Sequence, residues 1–297
     1  MRRIDLKVGF TCNNFCRFCV QGDKRRFGSR SERELKKLIL QGRKKAQDIV
    51  FTGGEPCLHP QLLELIRYAK QAGYRTIQIQ TNGRMFSYKK FCGDIIEAGA
   101  NEFSPALHGH RPDLHDFLTG SPGSFLQTVL GIRNLRSMGQ TVITNTVITK
   151  PNFRHLPEIA DVLIQLGVGH FQFAFVHPLG RAKENFRSIV PRFTLIEPYV
   201  KKGLRKGRDA GLSAKTEAIP YCFMLGFESC IAEETIPPTT IYDLNHVVEN
   251  FKVSRITEGK AKGPSCRKCL YYRKCEGPWK EYPETFGWSE FNPISGK

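Results

Sequence analysis

Predicted strands and helices alternate along the first two thirds of this chain, and this alternation restricts the possible folds more than any other feature. Six stretches rich in β-branched and aromatic residues are each followed by a stretch with helical spacing of apolar residues. Such regular alternation favours a parallel sheet covered by helices. Because six units are fewer than the eight of a closed TIM barrel, we predict an α/β fold with an open, partial (β/α)6 TIM-type barrel.

The alternation stops after about residue 210, and the remaining segment contains five of the ten cysteines. We therefore expect two domains, a barrel core over residues 1–210 and a small C-terminal domain over residues 211–297. No stretch approaches the roughly 20 apolar residues that a membrane-spanning helix needs. The N-terminal segment also lacks the apolar run of a signal peptide. We expect a cytoplasmic protein with no membrane partner.

Three cysteines crowd into one loop directly after the first predicted strand. Cys12, Cys16 and Cys19 have the spacing C-x3-C-x2-C. In a reducing compartment such thiols are more typical of metal binding than of disulfides. A closed structural zinc site needs four ligands, whereas three thiolates without a nearby histidine suit a four-iron cluster with one open iron. A zinc half-site and buried free thiols are the alternatives.

Glycine-rich and polar motifs follow the next predicted strands. GGEP follows the second strand, TNG the third and LHG the fourth. The carboxyl ends of parallel strands share one rim of a barrel, where ligands bind. Glycines let the backbone approach a ligand closely, and short polar side chains suit ribose hydroxyls or a carboxylate. We therefore expect these motifs and the cysteine loop to form one site.

The loop CNNFCRFC, together with GGEP, resembles the motifs of the radical S-adenosylmethionine (radical SAM) enzymes. The resemblance extends to HPLGRA after the sixth strand and covers about the first 210 residues. It implies that Cys12, Cys16 and Cys19 bind a [4Fe-4S] cluster. It also implies a set of residues that contact SAM: Phe18, Gly53, Gly54, Glu55, Pro56, Thr81, Asn82, Ser104 and Asn145.

The resemblance implies reductive cleavage of SAM. The open iron would chelate the methionine amino and carboxylate groups, and an electron from a donor such as flavodoxin or ferredoxin would break the sulfonium. The resulting 5′-deoxyadenosyl radical would abstract a hydrogen atom from the substrate. The carbonyl groups of GGEP, or the Glu55 carboxylate, could accept from the methionine ammonium. In such enzymes the cofactors carry the difficult chemistry, and the protein orients and shields them.

A second cysteine group, CRKCLYYRKC, contains Cys266, Cys269 and Cys275 with the spacing C-x2-C-x5-C. It resembles part of the SPASM and Twitch extensions of radical SAM maturases, which implies an auxiliary [4Fe-4S] cluster. It departs from the SPASM pattern because Trp279 stands where that pattern has a further cysteine. Five cysteines cannot fill two four-cysteine sites, so we expect one cluster completed by Cys222 or Cys230. Zinc is the main alternative, and disulfides are a weaker one.

Some other candidate residues are predicted to be structural. Cys57 and Cys92 are expected to be buried apolar residues rather than metal ligands. The three histidines of LHGHRPDLHD could line a substrate pocket, but we expect them to lie in a solvated loop.

Positive charge is concentrated between Lys24 and Lys45. The chain has a net charge of +17, and this segment contains ten Lys or Arg residues against two Glu. Such a surface attracts polyanions such as RNA or an acidic peptide, although a solvated helix face is an equal alternative. Since the segment follows the cysteine loop, we expect it near the rim where an anionic substrate would enter.

Several functions fit these features, and a peptide or protein maturase is our first prediction because of the SPASM/Twitch-like segment. The basic segment favours RNA modification as an alternative. The stretch NTVITK resembles the molybdenum-cofactor GTP cyclase, which favours small-molecule cofactor biosynthesis. A non-enzymatic iron–sulfur carrier would need no SAM pocket, so GGEP and the polar strand ends argue against it.

Overall fold

The computed structural model describes residues 2–295, and its centre is a nine-stranded, mostly parallel sheet. The strands are β1 (Arg3–Lys7), β2 (Asp48–Thr52), β3 (Thr76–Thr81), β4 (Glu102–Pro105), β5 (Thr141–Ile148), β6 (His170–Phe175), β7 (Ser213–Glu217), β8 (Thr239–Tyr242) and β9 (Val247–Val248). Their order across the sheet is β7-β6-β5-β4-β3-β2-β1-β8-β9. Every neighbouring pair is parallel except β8 and β9, which are antiparallel.

Eleven α-helical segments connect or follow these strands within the described residues. They are α1 (Glu32–Arg43), α2 (Leu62–Gln71), α3 (Lys89–Ala98), α4 (Pro112–Thr119), α5 (Ser124–Ser137), α6 (Leu156–Gln165), α7 (Arg181–Glu184), α8 (Phe186–Ile189), α9 (Phe193–Asp209), α10 (Phe251–Ser254) and α11 (Glu281–Phe286). No helix in residues 2–295 is both long and apolar enough to cross a membrane.

The predicted α/β fold with a partial barrel is confirmed. All six predicted strands form, and they lie side by side in chain order from β1 to β6. The sheet is larger than predicted, because β7 extends it beyond β6 and β8 pairs with β1. The predicted boundary between residues 210 and 211 falls between α9 and β7, so three strands beyond it belong to the same sheet.

Local sequence signals explain where several helices begin and end. Ser31 caps α1, because its hydroxyl accepts a hydrogen bond from the Glu34 N–H at 3.4 Å. Gly73 has φ +87° just after α2, the left-handed position that favours glycine. Pro198 lies inside α9 without ending it, so the helix runs its full 17 residues.

An aromatic cluster ties the C-terminal segment to the barrel. Tyr282 is completely buried, and its ring packs against Phe175 at the end of β6 and Phe193 at the start of α9. Its hydroxyl accepts from the Phe193 N–H at 3.0 Å and donates to Glu290. These contacts fix α11, and with it Trp279 two residues before the helix, against the carboxyl end of the sheet.

Candidate active site

A cavity of about 480 Å³ lies at the carboxyl ends of the parallel strands. Side chains or backbone from β1 to β7, or from the loops directly after them, form its walls. Nine of the residues predicted from sequence line it: Cys12, Cys16, Phe18, Cys19, Gly53, Gly54, Thr81, Asn82 and Asn145. Glu55, Pro56 and Ser104, which were predicted with them, do not line it.

Three arginines hold the irregular cysteine loop in place. Their guanidinium groups donate to loop carbonyls, Arg25 to Cys12 and Asn14, Arg84 to Asn13, and Arg181 to Phe15. A loop outside regular structure leaves carbonyl groups unpaired, and charged donors satisfy them strongly. The loop therefore presents its three thiols from a fixed backbone surrounded by positive charge.

The three thiols of the loop have the chemistry of a metal-binding set. Burial raises the pKa of Cys12, Cys16 and Cys19, and for Cys16 the neighbouring thiols raise it further. Thiolates in such a place need a cation to replace the proton. No three His, Cys, Asp or Glu side chains in residues 2–295 converge as they would around a single metal ion. Three thiols spread around one cavity fit the wider ligand shell of an iron–sulfur cluster better than that of one ion.

The GGEP turn packs directly on the cysteine loop. The Gly54 N–H donates to the Gly9 carbonyl at 2.8 Å, and the Glu55 N–H donates to the Thr11 carbonyl at 2.8 Å. A Cβ atom on Gly53 would lie 2.1 Å from the Gly9 oxygen, and one on Gly54 would lie 2.4 Å from the Thr11 oxygen. Both glycines are therefore required for the close approach of two backbone segments.

The close approach at Gly54 leads to a direct test. We expect Gly54→Ala to push the cysteine loop away and to lower both the melting temperature and the iron retained after anaerobic reconstitution. Gly93→Ala is the matched control, because a Cβ there meets no atom within 4 Å on helix α3. Alanine in that helix should be neutral or stabilising by up to about 1 kcal/mol. Equal iron content in the two variants would contradict this role of Gly54.

The expectation that Glu55 could accept from a ligand ammonium is not met by its position. The Glu55 carboxylate is buried and accepts from the Thr81 hydroxyl at 2.6 Å and the Asn82 N–H at 2.6 Å. It also accepts from the Cys57 N–H at 3.0 Å. Burial raises the pKa of Glu55, while these three donors favour its charged form. Glu55 thus joins the ends of β2 and β3 and positions the TNG turn.

The other predicted polar residues lie at different depths. Asn82 donates from its amide to the Asn13 side chain at 2.6 Å and so links the TNG turn to the cysteine loop. Asn145 lies on β5 at the cavity wall, and its buried side-chain oxygen has no hydrogen-bond partner among residues 2–295. An unpaired buried acceptor facing a cavity fits a ligand that donates a hydrogen bond. Ser104 is buried in β4, behind the lining of the cavity.

The expectation of a solvated histidine loop is wrong for two of the three histidines. His108 and His115 are buried, and each accepts a backbone hydrogen bond on Nδ1, from Val147 and His108 respectively. Burial lowers the pKa of both imidazoles to about 3, so they are neutral acceptors. The His108 ring meets Phe18 edge to face at 4.8 Å, which makes Phe18 part of the wall behind the cysteine loop.

Four cysteines line a second, small pocket of about 30 Å³. Its walls include Cys222, Cys266, Cys269 and Cys275. Burial, with the neighbouring thiols of Cys275 and Cys266, raises the pKa of Cys222 to about 12. Backbone N–H groups of Ile294 and Gly277 donate to the sulfur atoms of Cys269 and Cys275, both at 3.4 Å. Cys222 therefore stands with the three cysteines of the C-terminal group.

Cys230, the alternative fourth ligand, is not brought to this space. Its side chain is 2% exposed and belongs to the hydrophobic core. A short turn over Glu228–Cys230 directs it inward, whereas Cys222 lies in the turn Tyr221–Phe223 at the pocket wall. Cys57 and Cys92 are buried in the core as predicted.

The basic segment is less available to a partner than its composition suggests. Lys24 pairs with Asp243 at 2.9 Å, and Arg30 is buried between Glu34 and the carbonyl groups of Lys7, Tyr242 and Asp243. Arg25, which binds the cysteine loop, also stacks 3.9 Å from the ring centre of Phe15. These three cations have structural partners inside the fold, which the count of charges could not show.

Several residues that line the cavity or hold the cysteine loop were missed by sequence reasoning. Arg84 follows the TNG motif directly and Arg181 lies within HPLGRA, so their positions beside recognised motifs were the available signal. His177 and Trp279 stack face to face at 3.7 Å, and Glu217 ends β7 at the cavity wall. Trp279 comes from the C-terminal segment, so only the folded chain brings it to this site.

Comparisons with known proteins agree with this architecture. A family model described as "Radical SAM superfamily" matches residues 6–173, more than half of the chain. An "AdoMet-dependent heme synthase" of Oleidesulfovibrio alaskensis is 32% identical over 186 residues, which are 62% of this chain and 47% of that protein. A "Probable GTP 3′,8-cyclase" of Saccharolobus solfataricus is 28% identical over 203 residues, 67% of this chain and 65% of that protein. The chain thus spans about half to two thirds of the length of these relatives.

Solved structures resemble nearly the whole chain. Streptococcus suis SuiB bound to S-adenosylmethionine gives a TM-score of 0.68 at 15% identity, covering 99% of this chain and 76% of SuiB. The anSMEcpe protein with bound AdoMet and Cp18Cys peptide gives a TM-score of 0.68 at 15% identity, covering 99% of this chain and 92% of that chain. At this identity the likeness shows a shared fold, which includes the C-terminal segment.

Proposed function

Because this chain belongs to the radical SAM superfamily, we propose that it cleaves SAM and abstracts a hydrogen atom from a peptide or protein substrate. The observation that carries the proposal is the meeting of three thiols with the GGEP and TNG turns at one cavity on the carboxyl rim of the sheet. This rim is where parallel barrels place their chemistry. Phe251 and Trp279 of the C-terminal segment line the same cavity.

We assign the [4Fe-4S] cluster to Cys12, Cys16 and Cys19, and SAM to the cavity beside them. When bound, these groups supply the electron transfer and the 5′-deoxyadenosyl radical. The chain's own residues hold and shield them. Arg25 and Arg181 lower the cost of burying negative charge beside the thiols, and the unpaired Asn145 oxygen can accept from a SAM hydroxyl or ammonium group.

An auxiliary [4Fe-4S] cluster at Cys222, Cys266, Cys269 and Cys275 is part of the same proposal. The four cysteines line one small pocket, and the N–H groups that donate to two of the sulfur atoms would stabilise thiolate charge. Such clusters and their free thiols require a reducing compartment, so we propose a cytoplasmic location and a donor of the flavodoxin or ferredoxin class.

A peptide or protein substrate is favoured over the alternatives by the extent of the structural likeness. SuiB has been solved with its precursor peptide SuiA, and anSMEcpe with the Cp18Cys peptide. Both cover 99% of this chain, and so include the C-terminal segment that forms part of the cavity wall. An RNA substrate loses support because Lys24, Arg25 and Arg30 are engaged within the fold.

Small-molecule cofactor biosynthesis is the second candidate. The heme synthase and GTP cyclase relatives support it, since they match at 32% and 28% identity. These matches cover 62% and 67% of this chain, so they leave about a third of it without a counterpart in those alignments.

A turnover experiment separates these candidates. Anaerobically reconstituted and reduced protein would be incubated with SAM and either a degenerate peptide library, GTP or a short RNA. We expect the peptide library to raise 5′-deoxyadenosine formation above the substrate-free rate, with a mass change in the peptides that react. Stimulation by GTP or by RNA alone would overturn the peptide assignment, and no 5′-deoxyadenosine under any condition would overturn the SAM cleavage.

A further inference from the structure

A strained residue follows directly after Glu217, which lines the cavity. Ala218, directly after β7, has φ +61° and is the only non-glycine residue with positive φ in residues 2–295. Its N–H donates to the Glu233 carboxylate at 2.6 Å. Strained backbone persists where the surrounding structure holds it, often at functional sites. Here the turn places the preceding residue, Glu217, at the cavity wall.

Charged side chains are buried directly behind Glu217. Lys260 and Glu233 are each 8% exposed, and Arg255 is 3% exposed. The Lys260 ammonium lies 3.8 Å above the ring centre of Trp279, whose other partner is the stacked ring of His177. The Lys260 nitrogen and one Glu233 oxygen have no hydrogen-bond partner in the described residues, which is rare for buried charged groups.

The charges of this wall do not balance. Arg255 and Glu276 form a bidentate pair at 2.7 and 2.8 Å, and the Arg255 guanidinium also lies 3.8 Å from the Glu217 carboxylate. Lys260 then faces two carboxylates, those of Glu233 and Glu217. Two cations, Arg255 and Lys260, thus face three carboxylates, which leaves one negative charge in excess at a partly buried wall, where an uncompensated charge is costly. The fold therefore leaves room for one more positive charge.

We propose that this wall, formed by Glu217, Glu233 and Lys260, recognises a positively charged substrate group such as a lysine ammonium. Glu217 accepts from the ammonium because it alone of the three lines the cavity. The aromatic edge of Trp279 and the ring of Phe251 line the same region and suit the methylene stem of a lysine. The inference rests on the proposed function, since it takes the cavity to be the place where the substrate enters.

When no cation is bound, a proton on Glu233 can balance the excess negative charge of this wall. Burial raises the pKa of Glu233 to about 7, with the Glu217 carboxylate raising it and Lys260 opposing the rise. Burial lowers the pKa of Lys260 to about 8, although the carboxylates of Glu233, Glu217 and Glu276 act to raise it. The other groups facing this pair are Arg255 and the Tyr221 phenol. A bound ammonium favours ionised Glu233, so binding should release a proton and should weaken as the pH falls below about 7.

The test measures binding without turnover. Reconstituted, oxidised protein saturated with SAM would be titrated calorimetrically with N-acetyl-lysine methylamide and with its uncharged analogue, N-acetyl-norleucine methylamide. We expect the lysine probe to bind about tenfold more tightly, the effect of one charge-assisted hydrogen bond. Titrations near pH 7 in two buffers of different ionisation enthalpy should show proton release with the lysine probe only.

Glu217→Gln should remove the preference for lysine and the proton release. Glu258→Gln, an exposed substitution close to Lys260 in sequence, should keep both. Equal affinity of the wild-type protein for the two probes would overturn the inference whether or not the variant folds. Equal lysine preference in wild type and Glu217→Gln would also overturn it.

Substrate-free SAM cleavage, measured on the same preparation after reduction, separates this inference from the proposed function. If the wild-type protein cleaves SAM but binds the lysine and norleucine probes equally, the inference is wrong and the proposed function stands. If the protein binds the lysine probe more tightly but forms no 5′-deoxyadenosine, the proposed function is wrong and the cation preference stands.

Discussion

Replacing Cys12, Cys16 and Cys19 together with alanine is expected to abolish SAM cleavage and to remove about half of the bound iron. With a four-iron cluster in each site, the wild-type protein should carry about eight irons per chain. The three thiols lie in one loop at the cavity, and no other cysteine within residues 2–295 lines it. No remaining thiol can therefore replace them. Iron analysis and quantification of 5′-deoxyadenosine after reduction would give both results.

The arginine contacts determine how this variant should behave otherwise. Arg25, Arg84 and Arg181 bind carbonyl groups of the loop rather than the thiols, so the apo loop should keep its backbone position. The variant should remain folded, with the second site loaded. Continued 5′-deoxyadenosine formation in the triple variant would show that the radical SAM site has been misplaced.

The barrel could be predicted from the sequence because its strands are buried and regular. The burial pattern of β5 alternates along its length, and β2 is a nearly continuous apolar run. Strand β7 could not be found in this way, since SAKTE is polar and lies at the sheet edge. Strand β8 is only four residues long, and it is recognised as a strand by its pairing with β1. Both depend on partners distant in sequence.

The site was predictable in its motifs but not in its side-chain orientations. Because GGEP and TNG each follow a predicted strand, the sequence correctly predicted that they lie beside the cysteine loop. It could not show that Glu55 turns inward to join two strand ends, because that depends on the donors of Thr81 and Asn82. The burial of His108 and His115 likewise depends on backbone N–H groups that need acceptors.

Charge was the least informative signal at the level of single residues. The cations between Lys24 and Lys45 suggested a surface for a polyanion. In the structure Arg25 and Arg30 donate to backbone carbonyls, and Lys24 pairs with Asp243. The region that the structure points to for substrate contact is instead acidic, and it arises where β7 meets the C-terminal segment. Net charge of +17 therefore coexists with a cavity wall that favours a cation.

Replacing Cys222 with alanine is expected to remove the iron of the auxiliary site, about four atoms per chain, and to abolish substrate turnover. Cys222 supplies the fourth thiol of the small pocket, so a cluster there would lose a ligand. Substrate-free SAM cleavage should persist, because the first site keeps all three of its thiols. Iron analysis, 5′-deoxyadenosine formation and the mass change of a reacting peptide would be measured on one preparation.

Cys230→Ala is the matched control for this prediction, since both positions were equal candidates by spacing. Cys230 lies in the hydrophobic core, and its loss removes one buried sulfur atom without opening a metal site. This variant should keep its full iron content and lose about 1 kcal/mol or more of stability from the small cavity left behind. Loss of iron in Cys230→Ala with retention in Cys222→Ala would reverse the assignment of the fourth ligand.

One zinc and four irons in the wild-type protein would instead show that the second site binds zinc, because four thiolates can also close a tetrahedral zinc site.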